Sequence, residues 1–404
     1  VHTIHCIMRP HSRHLAHDVR GAARLATDAT MGLTDLVEAM HARITRVPGW
    51  PVDEPERTGG ITGLVYQSVR GVTRLVGGSL DALLGLLAPE LDRLALPQAH
   101  SPEREAVLAA LNGVLGDYLV ATSNPLAATM SLRRDGLPIE PGAPTTGRLL
   151  VLVHGLCMND RQWLRDGHDH GAALARDAGY TPVYVHYNTG QHVSINGRAL
   201  AALLDPLVQT WPQSLERVAI VGHSMGGLVA RSAVHQARQA GLHWAAQLSD
   251  MVFLGTPHQG AALERAGNWL DAILGATPYA APFARLGKVR SAGITDLRRG
   301  NLLDEDWVGR DRFALSPDRR QIVPLPEGVR CAAVAASLTR EPGGRRERFI
   351  GDGLVPLPSA LGQHADPARA LAFAPDLQCT VQGVGHLGLL SDAAVYDRLR
   401  RWLA

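Results

Sequence analysis

The stretch that decides the fold is Val218-Ala-Ile-Val-Gly-His-Ser-Met-Gly-Gly227, which centres a Gly-x-Ser-x-Gly sequence on Ser224. Its four apolar residues predict a buried strand, and the Leu-Val-Ala-Arg that follows predicts a helix. A strand that turns directly into a helix needs small residues two positions before and two after the serine, and Gly222 and Gly226 meet that need. The turn raises the Ser224 hydroxyl above the sheet, beside free helix N–H groups. Ser224 is therefore the predicted nucleophile, and a structural glycine-rich turn is the alternative.

Short apolar runs like this one recur along the chain, and helical segments lie between most of them. A hairpin signal, Asp135-Gly136 between two short extended runs, precedes the first. Alternation of short apolar strands with helices predicts an α/β fold, with a mostly parallel sheet and helices on both faces. Ligand sites in such folds lie at the carboxyl ends of the strands. The runs are residues 148–153, 182–186, 218–221, 251–254, 331–336 and 379–381.

A serine nucleophile needs a base to take its proton. After this kind of turn the chain order is serine, acid, histidine. His386 follows the apolar run 379–381 and precedes the last helix, so it lies at the carboxyl end of the final predicted strand. His258, in Gly255-Thr-Pro-His-Gln-Gly260, also follows a strand directly but comes early for that order. We predict His386 as the base and keep His258 as its rival.

The acid that orients the base is predicted to be Asp352, in Gly351-Asp-Gly353. It follows the run 331–336 and precedes the strand that leads to His386. An ordinary Asp-Gly turn is the alternative. Asp250 begins a strand, which is the opposite edge of the sheet. Three further carboxylates lie in a charged run where we expect them to be solvated: Asp304, Asp306 and Asp311.

The tetrahedral intermediate of acyl transfer needs two N–H donors, an oxyanion hole. The backbone N–H of Met225, directly after Ser224, is one candidate. The other is the N–H of Leu156, because Gly155 allows a close backbone approach after the strand at 148–153. Cys157 is next in this loop, and since no base stands beside it we expect it to be a packing residue.

Two regions stand outside the alternation. Residues 1–126 predict a helical region packed on a catalytic domain at 127–404, with an apolar stripe from Ile61 to Leu87 in a helix that ends before Pro89. We expect this stripe to pack in a core; binding to a membrane surface or a partner is the alternative. Residues 261–327 predict a lid, in which Trp269 and Leu270 would contact an acyl chain. A solvated insertion is the alternative reading of that segment.

Composition limits the classes of function. Of the 404 residues, 46% are apolar and 19% charged, with a net charge of +2. That is a globular composition without the basic excess of a nucleic-acid binder. No apolar run is long enough for a spanning helix, and the absence of a signal peptide slightly favours the cytoplasm, although the start at Val1 suggests that an upstream segment was removed. Four cysteines are too few for a disulfide scaffold. No feature indicates an oligomeric state.

Metal and cofactor chemistry is not expected. His168 and His170 could offer two ligands, but the sequence places no third group, so a solvated loop is favoured. No Gly-x-x-x-x-Gly-Lys-Ser/Thr sequence is present, which excludes P-loop chemistry. We therefore predict an enzyme that uses no metal and no cofactor.

The motifs resemble those of α/β-hydrolase serine lipases and esterases. Gly222–Gly227 followed by Gly255–Gly260 looks like bacterial triacylglycerol lipases and GPI inositol-deacylase-like hydrolases, and His154-Gly155, Asp352-Gly and His386 match as well. The resemblance covers about residues 127 to 404. It implies an α/β-hydrolase fold and a carboxylic ester hydrolase acting on small-molecule, lipid or polymeric esters. The apolar insertion at 261–327 suggests a hydrophobic acyl chain or an aliphatic polyester as the substrate.

Some points stay open beside this resemblance. An acyltransferase, a thioesterase or an amidase would use the same three residues, and a non-catalytic binding protein could share the scaffold. Several lipases of similar motif bind calcium in an acidic loop after the histidine. The loop here, 387–392, lacks such a ligand set, so we do not expect this calcium site in the present chain.

Overall fold

The computed structural model describes most of the chain. The chain divides into two compact units. The first unit comprises residues 1–101 and 119–127, and the second comprises residues 102–118 and 128–404. The described residues are 15–44, 60–94, 102–139, 143, 145–261, 291–311, 318–340 and 345–404.

The first unit contains two long helices, α1 (Leu15–Ile44) and α2 (Gly60–Leu94), which pack against each other. Asp81 of α2 accepts hydrogen bonds from two arginines of α1, Arg20 and Arg24, which holds its carboxyl pKa well below its usual range. The predicted end of α2 before Pro89 is wrong, because the helix continues to Leu94. A proline near the end of a helix removes only one backbone bond, so flanking turns persist.

The predicted burial of the apolar stripe on α2 is wrong for its middle. Leu64 is 65% exposed, Val72 61% and Val76 60%, and Val65 and Val69 are exposed too. Arg70, on another face of α2, is buried and forms ion pairs with Asp35 and Glu38 of α1. The face of α2 that packs on α1 therefore carries the charged pairs, and the apolar stripe points elsewhere.

The second unit is built on an eight-stranded sheet in the order β2-β1-β4-β3-β5-β6-β7-β8. The hairpin β1–β2 at one edge is antiparallel and β1 pairs antiparallel with β4, while every other neighbouring pair is parallel. This confirms the predicted mostly parallel sheet and the hairpin at Asp135-Gly136. The strands are β1 (Ser131–Arg134), β2 (Leu137–Pro138), β3 (Arg148–Val153), β4 (Thr181–His186), β5 (Arg217–His223), β6 (Leu248–Leu254), β7 (Arg330–Ser337) and β8 (Gln378–Gln382).

Helices cover both faces of the sheet, as the continuous apolar strands require. In β3, Leu149, Val151 and Val153 belong to one core cluster, and Leu150 and Leu152 belong to the other. The alternation follows from the two-residue period of a strand. The helices of the second unit are the first part of α3 (Pro102–Ala121), α4 (His170–Ala178), α5 (Val193–Gln209), α6 (Met225–Gln239), α7 (Trp244–Gln247), α8 (Ala292–Arg299), α9 (Arg345–Ile350), α10 (Leu357–Ala360) and α11 (Ala393–Leu403).

The two core clusters take different helices. Residues of α5 and α6 pack in the cluster that contains Val151, and Leu174 of α4 and Leu399 of α11 pack in the cluster that contains Leu152. The sheet is thus a middle layer, and the loops at the carboxyl ends of its strands are supported from both sides. Among the residues that the structure describes, no helix combines the length and hydropathy needed to cross a membrane.

Part of the segment predicted as a lid belongs to the core. α8 buries Ile294 and Leu297, and the cluster also contains Leu302 and Val323. Residues 262–290, including Trp269 and Leu270, and residues 312–317 lie outside the described part of the chain. The lid therefore stays a prediction for the first half of the segment, while residues 291–311 and 318–327 pack against the domain.

Candidate active site

Ser224 lies at a strained turn between β5 and α6. Its φ is 54° and its ψ is −124°, a conformation that L residues rarely adopt. A Cβ at Gly222 would lie 2.6 Å from Gly227 Cα, and a Cβ at Gly226 would lie 2.0 Å from Val153 O. Both contacts are far too short for a carbon atom, so only glycine fits at these positions. The backbone atoms of Gly227 and Val153 therefore explain why both positions need glycine, as predicted.

His386 and Asp352 are joined across two loops at the same edge of the sheet. His386 Nδ1 lies 2.7 Å from Asp352 Oδ2, and both side chains are buried. The other carboxylate oxygen, Oδ1, accepts the backbone N–H groups of Leu354 and Val355 at 3.0 and 2.8 Å. The Asp-Gly turn that was the alternative for Asp352 is thus present, and it orients the carboxylate toward the histidine. Because Nδ1 donates to this carboxylate, Nε2 is the ring nitrogen available to accept a proton.

A backbone hydrogen bond also joins the two loops. The His386 N–H donates to the carbonyl oxygen of Asp352 at 3.0 Å. Close packing from the loop after β6 adds to this, since a Cβ at Gly255 would lie 3.1 Å from Asp352 Oδ2 and 3.2 Å from His386 Nδ1. Gly255 has a φ of 56°, and its missing side chain makes room for the pair.

The loop after β3 approaches Ser224 closely. A Cβ at Gly155 would lie 3.1 Å from Ser224 Cβ, so a larger residue would separate this loop from the serine. The backbone N–H groups of Leu156 and Met225 have no hydrogen-bond acceptor within the described ranges. For Met225 this follows from its place in the first turn of α6, where N–H groups lack intrahelical partners. Two backbone donors near the serine therefore lack an acceptor in the described part of the chain.

Ser224, His386, Leu156 and their neighbours line one cavity of about 90 Å³. The sequence prediction brought Ser224, His386 and Leu156 to this place, and the structure puts them on its wall. Met225 and Asp352 do not line the cavity themselves. Met225 follows Ser224 in the chain, and Asp352 is hydrogen-bonded to His386. The described lining residues are Gly155, Leu156, Cys157, Met158, Gln162, Leu164, Arg165, His223, Ser224, His386 and Leu387.

Two histidines at the site were not assigned a role from the sequence. His223 Nε2 donates to the carbonyl oxygen of His386 at 3.2 Å, and burial together with the nearby His386 lowers the His223 pKa well below its usual value. His154 stacks on Tyr187 with ring centroids 4.5 Å apart, and burial lowers its pKa to about 3. Both rings are neutral and support the loops on which the site is built. The only sequence signal was their position next to Ser224 and Gly155.

The rival base, His258, has a different environment. It is buried, and its Nδ1 lies 3.3 Å from a guanidinium nitrogen of Arg231. Burial lowers its pKa well below the usual value, and the charge of Arg231 lowers it further. No carboxylate contacts His258 among the described residues. His258 is also absent from the described lining of the Ser224 cavity, so the structure does not bring it to the serine.

Other residues singled out in the sequence have the following places. Asp250 pairs with Arg217 and Arg330 at the amino edge of the sheet. The expectation that Asp306 is solvated is wrong, because it is buried and accepts the N–H groups of Leu302, Leu303 and Gln321. Asp304 forms an exposed pair with Arg198.

The predictions for the cysteines and for the His168–His170 segment have different outcomes. Cys157 is buried and burial raises its thiol pKa to about 12, which fits a packing residue. Cys331 and Cys379 are free thiols, the first buried and the second partly buried. The solvated loop predicted for His170 is wrong: the ring is fully buried and hydrogen-bonds His168 and the carbonyl oxygen of Leu389. In the described ranges, no group of three or more His, Cys, Asp or Glu side chains could hold a metal ion.

Comparison with known families gives one match. Residues 144–322 match a family described as the PGAP1-like alpha/beta domain. This stretch contains β3 to β6, the Ser224 turn and Gly255–Gly260, and it ends before Asp352 and His386. The predicted resemblance to α/β-hydrolases is confirmed, and with the observed strand order the second unit has the α/β-hydrolase fold. No curated protein matches the chain.

Solved structures with a similar fold include lipases and esterases of low identity. The lipase of Bacillus licheniformis in its mature form is 19% identical, with 68% of this chain and 98% of that chain covered and a TM-score of 0.40. Lipase B of Aspergillus fumigatus is 12% identical over 64% of this chain and 54% of its own, with a TM-score of 0.39. An esterase of Pyrococcus furiosus is 14% identical over 64% and 83%, with a TM-score of 0.35. At these scores the neighbours carry no argument about substrate or mechanism.

Proposed function

We propose that this protein is a serine hydrolase that cleaves carboxylic esters, with Ser224 as nucleophile, His386 as base and Asp352 as the residue that orients it. The observation that carries the proposal is the 2.7 Å contact of His386 Nδ1 with Asp352 Oδ2, behind a cavity whose wall His386 shares with Ser224. A carboxylate on Nδ1 fixes the tautomer that leaves Nε2 as acceptor, and it stabilises the imidazolium that forms when Ser224 loses its proton.

The proposed reaction has two halves. Ser224 Oγ attacks the ester carbonyl carbon while His386 Nε2 takes the hydroxyl proton, and the carbonyl oxygen becomes an oxyanion held by the N–H groups of Leu156 and Met225. The C–O bond to the alcohol then breaks as His386 returns the proton to the leaving oxygen, giving an acyl-enzyme. Water, deprotonated by the same histidine, attacks the acyl carbon and releases the acid and free Ser224.

The groups around the serine suit this chemistry. Leu156, Met158, Leu164 and Leu387 give the cavity an apolar wall, which favours an acyl chain over a charged group. Burial lowers the pKa values of the neighbouring His154 and His223, so both rings are weak proton acceptors and do not compete with His386. An aliphatic ester, small or part of a lipid or polyester, is therefore the proposed substrate class.

The proposal is tested by labelling and turnover. A fluorophosphonate probe should label the wild-type chain at one serine, and Ser224→Ala should abolish labelling and lower the turnover of a chromogenic ester by about 10⁴-fold or more, with the fold intact by circular dichroism. A folded Ser224→Ala protein with near-normal turnover would overturn the assignment. The matched control is Ser214→Ala, which changes an exposed side chain in the loop before β5.

The same assay can rank substrates. A panel of acyl esters of graded chain length, an aliphatic polyester emulsion, an acyl thioester and an amide would measure which bond is cleaved fastest. Adding an acceptor alcohol separates hydrolysis from acyl transfer, because a transferase would form a new ester from the acyl-enzyme instead of free acid.

A further inference from the structure

Arg231 is a buried cation for which the described residues provide no anion. It lies on α6, seven residues after Ser224 and thus about 10 Å along the helix axis. The side chain is 95% buried, being 5% exposed. Its two terminal nitrogens contact His258 Nδ1 and the carbonyl oxygen of Val323, and its Nε has no hydrogen-bond partner. No described carboxylate forms an ion pair with it.

His258 adds a second unused donor. Because its Nδ1 accepts from Arg231, the ring proton is on Nε2, and this nitrogen is buried without a partner. The ring is held in place by Phe253 and Phe373, with centroids 4.8 and 5.6 Å away. Two buried N–H groups, Arg231 Nε and His258 Nε2, therefore lack an acceptor among the described residues, whereas buried donors in folded proteins are almost always paired.

Both side chains line a cavity of about 60 Å³ that is separate from the cavity at Ser224. A single water occupies about 15 Å³ of such space, so the cavity has room for a group of four or five heavy atoms. None of its described lining residues is Asp or Glu, and two more arginines, Arg320 and Arg369, are among them. We call this space the Arg231 cavity.

The two other arginines already have counter-charges. Arg320 and Arg369 both pair with Asp318, and Arg369 also lies 3.7 Å from Asp366. Neither carboxylate lines the cavity. Burial, together with the charge of nearby Arg320, lowers the pKa of Arg231 to about 10, so the guanidinium is still charged at neutral pH. Water could satisfy the free donors, but it would not neutralise a charge whose burial without a partner is costly.

We propose that the Arg231 cavity binds a phosphate group, either as inorganic phosphate or as the phosphate of a larger ester. The lining residues come from α6, the loop after β6, Gly300 and Leu302, and the segments 320–324 and 368–371, so five parts of the chain surround the cavity. A tetrahedral oxyanion offers acceptors in several directions, whereas a planar carboxylate would pair with one guanidinium edge. Phosphate binding would join these five parts of the fold, and it does not depend on the proposed hydrolase activity.

The test is a thermal melt of the full chain. Sodium phosphate is titrated into phosphate-free buffer, with sodium chloride added to hold the ionic strength constant. We expect a saturable rise in melting temperature of about 3 °C when phosphate reaches ten times its Kd. A parallel titration with glycerol 3-phosphate distinguishes the two sources: tighter binding of the organic ester assigns the cavity to a phosphorylated molecule, and tighter binding of inorganic phosphate assigns it to the free ion. A melt unchanged by either compound overturns the proposal.

Variants assign the effect to the cavity. Arg231→Met removes the charge at similar volume and should abolish the phosphate-dependent rise. The matched control is Arg198→Met, which removes an exposed arginine from α5 and should keep the rise. A folded Arg231→Met protein that still responds like the wild type would overturn the proposal. If Arg231→Met does not fold, titration calorimetry of the wild-type chain decides, since the proposal requires heat from phosphate binding at one site per chain and none from chloride.

Discussion

The loops after β6 and β8 each place a buried histidine at the same edge of one sheet, yet the two rings have opposite environments. His386 has the Asp352 carboxylate on its Nδ1 at 2.7 Å. His258 has the Arg231 guanidinium on the same ring atom at 3.3 Å. A carboxylate stabilises the protonated ring and leaves Nε2 free to accept, whereas a guanidinium repels the proton and fixes Nδ1 as an acceptor. The partner of Nδ1, more than the position after a strand, therefore determines which histidine can act as a base.

The largest effect that this comparison predicts concerns the two histidines themselves. His386→Ala should lower kcat/KM for a chromogenic ester by about 10⁴-fold or more, because Ser224 loses the base proposed to accept its proton. His258→Ala should keep kcat/KM within about tenfold of wild type, since His258 does not line the Ser224 cavity. Steady-state kinetics on folded variants, checked by circular dichroism, gives both numbers. An inactive His258→Ala enzyme beside an active His386→Ala enzyme would reverse the assignment of the base.

The next effect concerns the carboxylate. Asp352→Asn keeps the volume of the side chain and its capacity to accept the N–H groups of Leu354 and Val355, but it removes the negative charge from Nδ1 of His386. We expect a loss in kcat of about 10⁴-fold, somewhat smaller than for His386→Ala. The control is Asp366→Asn, which changes an exposed carboxylate in a neighbouring loop. Equal activity of Asp352→Asn and wild type would show that the charge is not used.

A smaller effect is expected at Gly155. Its Cβ in Gly155→Ala would lie 3.1 Å from both Ser224 Cβ and His223 Nδ1, so the loop must shift and carry the Leu156 N–H away from the oxyanion. Loss of one such donor typically lowers kcat by about 10²- to 10³-fold. KM should change much less than kcat, because the donor acts on the transition state. The matched control is Gly78→Ala in α2, where a Cβ meets no atom within 4 Å. An unchanged kcat in Gly155→Ala would remove Leu156 from the proposed oxyanion hole.

Sequence alone could predict the sheet and the position of the proposed site residues. Short apolar runs such as 148–153, bounded by turn residues, are typical of buried strands, and the spacing of the glycines around Ser224 is typical of a strand–serine–helix turn. What joins distant parts of the chain was not predictable. The contact of Arg231 with His258 links a helix to a loop, and buried Asp306 accepts the N–H of Gln321, fifteen residues away.

The apolar stripe of α2 shows the same limit of sequence analysis, because its helix was predicted correctly and its burial was not. Helical spacing of Leu64, Val72 and Val76 correctly predicted a helix with one apolar face, but it could not determine which face packs on α1. The face that packs on α1 carries ion pairs such as Arg70 with Glu38, whose partners lie more than thirty residues apart. Periodicity describes one element, and burial depends on a second one.

The smallest effect concerns stability. It involves a third buried histidine, His170, whose hydrogen bonds within the described part of the chain are to His168 and to a backbone carbonyl and not to a carboxylate. His170 is fully buried, and burial lowers its pKa to about 4. It accepts a hydrogen bond from His168 and donates one to the carbonyl oxygen of Leu389, which requires the neutral ring. An unfolded histidine titrates near 6.5, so the unfolded chain binds the proton first. The stabilisation is therefore fully present above about pH 6.5 and is lost as the pH falls toward 4.

This linkage gives a measurable difference between pH 7 and pH 5, where the wild type should lose about 2 kcal/mol of unfolding free energy through His170. His170→Gln can accept from His168 and donate to Leu389 but does not titrate, so its free energy of unfolding should fall by about that much less over the same interval. Urea unfolding at both pH values measures it, with the exposed His243→Gln as control. Equal pH dependence in His170→Gln and wild type would mean that the buried ring is protonated in the folded chain, and the contrast between carboxylate-paired His386 and the unpaired histidines would lose its physical basis.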